Sequence, residues 1–161
     1  MFARYNRWVN ARLYAAAASL PDAEYRTDRG VFFLSLHGTL NHVLVADRLW
    51  LGRIAGEVPA LALDQILVDD LPGLTEARRL QDEQIVALVD GLDDERLRGT
   101  LTYRNTRGDE FRQPLAQVLA HVFNHQTHHR GQAHAVLTGL GRDAPSLDLA
   151  AHLREAAAGE A

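Results

Sequence analysis

The sequence predicts an all-α fold: a four-helix bundle with long crossover connections and a small β-hairpin before the fourth helix. Four long stretches carry apolar residues at intervals of three or four, which places them on one face of an α-helix. Segments rich in Gly, Pro and charged residues separate these stretches and are long enough to cross a bundle. One short stretch alternates apolar and polar residues around turn residues, which is the pattern of a hairpin.

The first two helices are predicted from their apolar patterns and from the residues that end them. The first covers about residues 2–20, and Pro21 ends it because proline cannot donate the next helical hydrogen bond. Residues 21–30 are expected to form a polar connection. The second helix covers roughly residues 31–55 and is apolar around much of its circumference, which predicts a central position in the fold.

The following stretch supplies a loop, a helix and the hairpin. Residues 56–73 hold two glycines and two prolines and are predicted to form a long loop. Residues 74–92 are predicted to form the third helix. The hairpin is expected within residues 100–112, where Leu101 and Tyr103 alternate with polar residues before the turn residues NTRG.

The fourth helix has a start signal and a stop signal. Proline is favoured at the first helical position, so Pro114 is predicted to open this helix, and Gly139 or Gly141 to end it. A last amphipathic segment, SLDLAAHLREA, closes the chain. No repeat, low-complexity tract or linker divides the sequence, so we expect a single domain over residues 1–161.

The composition excludes several kinds of chemistry. The chain has no cysteine, which excludes a disulfide, a cysteine-based zinc site and a cysteine nucleophile. All 17 basic residues are arginine, which excludes Schiff-base chemistry on lysine. The net charge is −4 and the arginines are scattered, so the concentrated basic footprint of a nucleic-acid binder is absent and no nucleic-acid partner is expected.

The N-terminal stretch resembles a secretory signal only superficially. Early arginines and an AAAAS run imitate one, but Arg12 interrupts the apolar stretch and the apolar residues follow helical spacing. No apolar run approaches the length that crosses a membrane. We therefore expect a cytoplasmic protein without a membrane partner.

Residues 121–132, HVFNHQTHHRGQ, place four histidines in nine positions of the predicted fourth helix. Residues four apart lie on the same side of a helix, so His125 and His129 stack at the edge of and within the apolar stripe. This spacing lets two imidazoles reach one metal ion, although hydrogen-bonded core histidines are the alternative. His121 and His128 point away from the stripe and are expected to be solvated.

This helix does not have the catalytic glutamate of a metalloprotease. In the HExxH helix of such enzymes a glutamate follows the first histidine, whereas Gln126 stands there in this chain. A metal site also needs a third ligand from another element, and the second helix offers His37 and His42. Gly38 and Ala46 lie one turn either side of His42 and leave room for an ion, so the spacing favours His42 without excluding His37.

Two stretches, NHVLVADRLWLGR and NHQTHHRGQ, resemble the signature stretches of the DinB family of metalloenzymes. The opening YNRWVNARL, the stretch FRQPLAQVLAHVFNH and the tail GRDAPSLDLAAHL resemble it too, so the similarity covers nearly the whole chain. The resemblance implies a four-helix bundle that is commonly a homodimer and holds a divalent metal with three histidines. It places these ligands on His42, His125 and His129.

Three neutral imidazoles without a carboxylate make an open metal site with positions left for water or a substrate. Nitrogen ligands suit Zn, Ni or Fe(II), and the sequence does not choose among them. Some members of the DinB family are thiol-dependent S-transferases or isomerases, so the resemblance implies activation of a low-molecular-weight thiol at the metal. The partners expected are then a small-molecule substrate and a second copy of the chain. No side chain is assigned as catalytic, and the reacting group is expected to be a metal-bound water or thiolate.

Two alternatives stay open. One is metal-hydroxide hydrolysis at the same site, for which the sequence shows no obvious general base, although Asp47 is a candidate on the second helix. For Asp47 we expect instead a helix-surface or salt-bridged carboxylate, paired with Arg48, Arg53 or Arg130. The other is a non-catalytic, stress-induced protein in which the metal only pins two helices together.

Four further residues have expected roles outside the metal site. Tyr5 and Trp8 lie about one turn apart on the first helix and are expected to pack in the bundle, with pocket lining as the alternative. Arg130 is expected to form a structural ion pair, with anion binding as the alternative. Gly131 is expected to let another helix approach closely.

Overall fold

A computed structural model describes residues 1–57 and 60–159, and this part of the chain is mostly helical with a small two-stranded antiparallel sheet. The elements in order are α1 (Phe2–Ala17), α2 (Asp22–Arg26), α3 (Leu36–Ala55), α4 (Leu71–Asp90), α5 (Asp94–Arg98), β1 (Thr100–Arg104), β2 (Glu110–Pro114), α6 (Leu115–Gly139) and α7 (Leu149–Gly159). The predicted helical class and hairpin are confirmed. Among the described residues, no helix is both long and apolar enough to cross a bilayer.

The four long helices share an apolar core. Helix α3 packs against α4 and α6, and α1 packs against the same two helices. The core residues from these helices are Leu13, Tyr14, Ala17, Leu36, Leu40, Leu44, Leu74, Ala133, Val136 and Leu137. A second cluster joins the end of α3, the hairpin and the start of α6 through Ile54, Leu101, Leu115, Val118 and Leu119. Apolar contacts therefore hold α3 and α6 side by side on both sides of the histidines.

The predicted end of α1 and the predicted start of α3 are wrong. Helix α1 ends at Ala17 and not at Leu20: residues 18 and 19 form a turn, and the residue directly before Pro21 is disfavoured in the helical conformation. Helix α3 begins at Leu36 and not near residue 31, because the Ser35 side chain caps it by accepting a hydrogen bond from the Gly38 amide at 3.1 Å. The residues before Ser35 form a turn in which Leu34 has a φ of 65°.

The connections hold two short helices that the sequence analysis missed. Helix α2 lies in the predicted polar connection, and α5 follows α4. Asp93 caps α5 by accepting a hydrogen bond from the Arg96 amide at 2.7 Å. The long loop after α3 is shorter than predicted, because Asp70 caps α4 and Pro72 occupies its first turn. Residues 58–59 of that predicted loop lie outside the described residues.

The hairpin lies where it was predicted and contacts both α3 and α6. Its register pairs Thr100 with Pro114 and Arg104 with Glu110, and Gly108 takes a φ of 90° in the turn. Pro114 is the last residue of β2 and precedes α6 as its cap, so it does not occupy the first helical position. Helix α6 then continues to Gly139, as predicted.

Candidate metal centre

The structure brings together the three histidines that the sequence analysis selected. One ring nitrogen from each of His42, His125 and His129 lies within 4.8 Å of the other two. The two Nε2 atoms of His42 and His125 are 3.2 Å apart. His42 comes from α3 and the other two from successive turns of α6, so the packing of these two helices assembles the group.

Hydrogen bonds orient two of the three rings. The Nδ1 of His42 lies 2.7 Å from the Leu63 carbonyl oxygen, and the Nδ1 of His129 lies 2.8 Å from Gln132 Oε1. A carbonyl oxygen can only accept, so each Nδ1 carries the proton and each Nε2 keeps its lone pair. Partners of this kind fix the tautomer of metal-ligating histidines.

The spacing of the nitrogens fits a divalent cation. Zinc binds imidazole nitrogen at about 2.0–2.1 Å in a tetrahedron, which places two ligand nitrogens roughly 3.3 Å apart. The observed Nε2–Nε2 distance of 3.2 Å is close to that value. Two lone pairs at this distance repel each other unless a proton or a cation lies between them. The donor set is nitrogen only, which suits zinc, nickel and iron(II) equally.

Burial keeps these imidazoles in the neutral form that binds metals. Loss of hydration lowers the pKa of His42 to about 4, and the bond to Leu63 offsets only part of this effect. Loss of hydration, with repulsion from the neighbouring imidazoles, lowers the pKa of His125 to about 3. The pKa of His129 is also lowered, chiefly by burial. The lowered pKa values favour the neutral rings and so reduce the competition between protons and a cation for the ligating nitrogens.

Phe33 forms one wall of the group. Its ring stacks on His42 with centroids 3.7 Å apart and an interplanar angle of 16°, and its edge meets His129 at 5.5 Å. Gly38 makes this possible, because a Cβ at that position would lie 2.2 Å from the Phe33 carbonyl oxygen. The expectation that Gly38 leaves room for an ion is wrong: the space holds the Phe33 backbone.

A cavity of about 260 Å³ opens beside the histidines. It is bounded by α3, the loop at Leu63, the hairpin turn and α6, and its lining includes His42 and His125. Ala46 borders this cavity, so the other small neighbour of His42 does leave space. A small molecule in the cavity therefore lies directly against two of the three rings.

The other histidines lie outside the group of three. His37 is buried with its ring against the edge of Tyr25 at 5.2 Å, which is the ordinary packed side chain that the sequence allowed. His121 and His128 are exposed, as expected, and are ring neighbours of His125 and His129 at 5.8 and 4.8 Å. His121 also borders the cavity.

A buried polar network lies on the side of α6 next to the metal centre. Asp47 is 1% exposed and accepts hydrogen bonds from Arg78 at 2.6 Å and from Gln126 at 2.7 Å. Arg78 also lies 2.9 Å from Asp82. The salt bridge predicted for Asp47 is present, but the surface position and the suggested arginine partners are wrong. The network joins α3, α4 and α6 at the level of the histidines.

Arg130 and Gly131 differ from expectation. Arg130 is 2% exposed and donates to Gln126 at 3.2 Å, and no carboxylate of the described residues lies within ion-pairing distance. Its guanidinium lies 5.3 Å from the Tyr5 ring centroid instead.

A Cβ at Gly131 would meet nothing within 4 Å, so no helix approaches closely there. Tyr5 and Trp8 stack with centroids 6.4 Å apart, which is a packing contact, and Tyr5 also lines a cavity between α1, α6 and the C-terminal segment, which is the alternative that the sequence left open.

Three residues of the centre were missed by the sequence analysis. Gln132 lies three residues after His129 on the same helix, and this spacing was a usable signal. Phe33 and Leu63 reach the site from irregular segments, where no periodic pattern marks them.

Comparisons with known proteins identify the family and the fold of this chain. The sequence profile of the DinB family matches residues 1–160. Protein DinB of Bacillus subtilis (strain 168) is 26% identical in an alignment 158 positions long, and the alignment covers 92% of this chain and 90% of that protein. The crystal structure of a DinB-like protein from Bacillus cereus ATCC 10987 is similar with a TM-score of 0.67 and 18% identity, covering 90% of this chain and 94% of the other. The match over nearly all residues shows that this chain belongs to the DinB family.

Proposed function

We propose that this protein is a divalent-metal-dependent enzyme that activates a low-molecular-weight thiol for S-transfer to, or isomerisation of, a small-molecule substrate. The supporting observation is the preorganised group of three imidazole nitrogens within 4.8 Å of one another, beside a cavity. The group consists of three imidazoles without a carboxylate, and three protein ligands leave a coordination position open for an exogenous ligand. We further propose that the enzyme is a four-helix bundle located in the cytoplasm.

The histidines and their neighbours have separate roles in this proposal. His42, His125 and His129 hold the cation, while Leu63 and Gln132 keep two of the rings in the ligating tautomer. A divalent cation bound there lowers the pKa of a thiol and stabilises the thiolate. The chain has no cysteine, so that thiol comes from a small molecule in the adjacent cavity.

The structure gives less support to the two alternatives. Hydrolysis needs a general base within hydrogen-bonding reach of water, and Asp47 is buried in an ion pair with Arg78 and does not line the cavity. A purely structural metal would fit a closed site with four protein ligands. The group has three ligands, and the cavity reaches His42 and His125.

Turnover measured with and without metal tests the proposal. Protein purified without a nickel column is loaded with zinc, nickel or iron(II) and assayed with glutathione, cysteine and mercaptoethanol against an electrophile such as chlorodinitrobenzene. We expect turnover that chelation abolishes, that His125→Ala loses, and that His134→Ala keeps because His134 lies on α6 outside the group. Turnover that is unchanged by chelation and by His125→Ala contradicts the proposal.

A homodimer is part of the proposal and is tested separately. Sedimentation equilibrium at micromolar concentration is expected to give twice the chain mass of 17.9 kDa. A monomer at concentrations where the enzyme is active refutes the dimer and leaves the metal chemistry in place.

A further inference from the structure

Arg53 is a buried cation for which the described residues supply no anion. It lies in the last turn of α3 and is only 9% exposed. Among residues 1–57 and 60–159, no carboxylate lies within 4.0 Å of its guanidinium. Burial lowers its pKa, with Tyr103 providing the opposing effect. Its two terminal nitrogens still reach solvent, but a largely buried cation without an ionic partner would be stabilised by an anion at this position.

Contacts with the hairpin and α3 hold the guanidinium in place. Its Nε donates to the Arg104 carbonyl oxygen at 3.0 Å. Its face lies over Trp50 at 4.6 Å and over Tyr103 at 5.5 Å. These contacts use one N–H of the five that an arginine carries. No described residue accepts a hydrogen bond from the two terminal nitrogens.

The guanidinium borders the same cavity as two of the histidines. Arg53, His42 and His125 all line it, together with Trp50 and His121. A continuous series of aromatic rings leads from Arg53 to the metal centre, with Trp50 to His121 at 5.1 Å and His121 to His125 at 5.8 Å. No Asp or Glu of the described residues lines this cavity. The planar donor fork is therefore available to a molecule that occupies it.

We propose that Arg53 forms an anion-binding subsite beside the metal centre and pairs with a carboxylate or phosphate group of the bound small molecule. The subsite makes this enzyme selective for acidic ligands, either an acidic thiol or an acidic electrophile. This assignment rests on the proposed function for the identity of the ligand, and on the Arg53 geometry for the charge that the ligand carries.

The test compares thiols that end in a carboxylate with thiols of the same length that end in an alcohol. The Trp8→Phe variant leaves Trp50 as the only tryptophan, so its fluorescence reports occupation of the cavity. Zinc-loaded protein is titrated with mercaptoacetate, mercaptopropionate and mercaptohexanoate, and with mercaptoalcohols of the same lengths. For at least one length we expect the carboxylate to bind on the order of tenfold more tightly than the alcohol. Equal affinities at every length overturn the proposal.

Variants assign the preference to Arg53. Arg53→Gln is expected to bind carboxylate and alcohol alike, while Arg53→Lys keeps part of the preference because it retains the charge without the fork. Arg48→Gln is the matched control, since Arg48 is exposed on the same helix and its loss changes net charge equally. A preference that survives in Arg53→Gln, or that Arg48→Gln also abolishes, refutes the subsite. If Arg53→Gln does not fold, the carboxylate preference of Arg53→Lys is compared with that of the wild type. A preference in Arg53→Lys as large as in the wild type then refutes the subsite.

The probes separate failure of the subsite from failure of the proposed function. Mercaptoalcohols bind through the metal alone, so their failure to bind contradicts thiol activation but not the subsite. Hexanoate and inorganic phosphate, compared with hexanol in the same titration, test the subsite without a thiol. Preference for hexanoate over hexanol shows that the subsite binds a carboxylate without a thiol, whereas preference only among the thiols shows that it needs the thiol on the metal as well.

Discussion

Arg78 joins three helices through a buried network, and its replacement by methionine gives the largest stability change that we predict. Its guanidinium is 2% exposed and pairs with Asp47 of α3 at 2.6 Å and with Asp82 of its own helix at 2.9 Å. Asp47 in turn accepts a hydrogen bond from Gln126, which lies next to His125 on α6. The variant keeps the apolar volume but leaves two carboxylates buried without their cation.

The expected loss follows from the cost of an unpaired buried charge. Breaking a buried ion pair by removing one partner costs about 3–5 kcal/mol, whereas an exposed pair contributes about 0–1 kcal/mol. Arg79 is the matched control, because it is the neighbouring residue on α4, pairs with Glu76 and Glu83, and is about half exposed. We therefore expect Arg78→Met to lose several times more free energy of unfolding than Arg79→Met.

Urea unfolding at two pH values measures this difference. At pH 7 Arg78→Met should lose about 3–5 kcal/mol, and Arg79→Met should lose little by comparison because its ion pairs are exposed to solvent. Burial already raises the pKa of Asp47 and of Asp82, and losing Arg78 raises both further. The folded variant then binds more protons than its unfolded chain, so its deficit should shrink at pH 5. A loss below about 1 kcal/mol at pH 7, or a deficit that grows at pH 5, refutes the reasoning.

Three further outcomes are expected. Burial lowers the pKa of His42 to about 4 and that of His125 to about 3, from 6.5, so on acidification the unfolded chain takes up protons before the folded protein does. The metal-free protein should therefore lose thermal stability as the pH falls from about 6.5 towards 4. A melting temperature that does not change over this pH range contradicts the prediction. Gln132→Ala should weaken zinc binding on the order of 10–100-fold in calorimetry, while the exposed Gln117→Ala does not. Gly131→Ala should raise the melting temperature or leave it unchanged, since a Cβ there meets nothing within 4 Å and alanine favours a helix by roughly 1 kcal/mol; a lower melting temperature contradicts it.

Periodicity predicted the long helices well because their core faces are continuous. It failed where a single polar side chain decides the boundary. Ser35 starts α3 by capping it, although the residues before it are as apolar as those after it. The short helix α5 had a readable signal that was overlooked, an aspartate cap at Asp93 followed by two acidic residues in the first turn.

The metal centre was predictable in part, for a similar reason. Helix geometry alone places His125 and His129 together, because residues four apart share a side. The assignment of His42 as the third ligand depends on the packing of α3 against α6. The small neighbours of His42 and the family resemblance indicated this assignment but did not prove it. Leu63 lies 21 residues from His42, and its approach depends on the path of a loop that no local pattern encodes. The burial of Asp47 was missed because its partner Arg78 lies on a different helix, 31 residues away.

The central claim is that imidazoles from α3 and α6 bind one cation. Zinc titration by calorimetry, followed by elemental analysis of protein purified without a nickel column, tests it most directly. We expect one ion per chain for the wild type and for His134→Ala, and loss of that ion in His42→Ala and in His125→Ala. A wild type that retains no ion, or alanine variants that bind it as tightly as the wild type, contradicts the account.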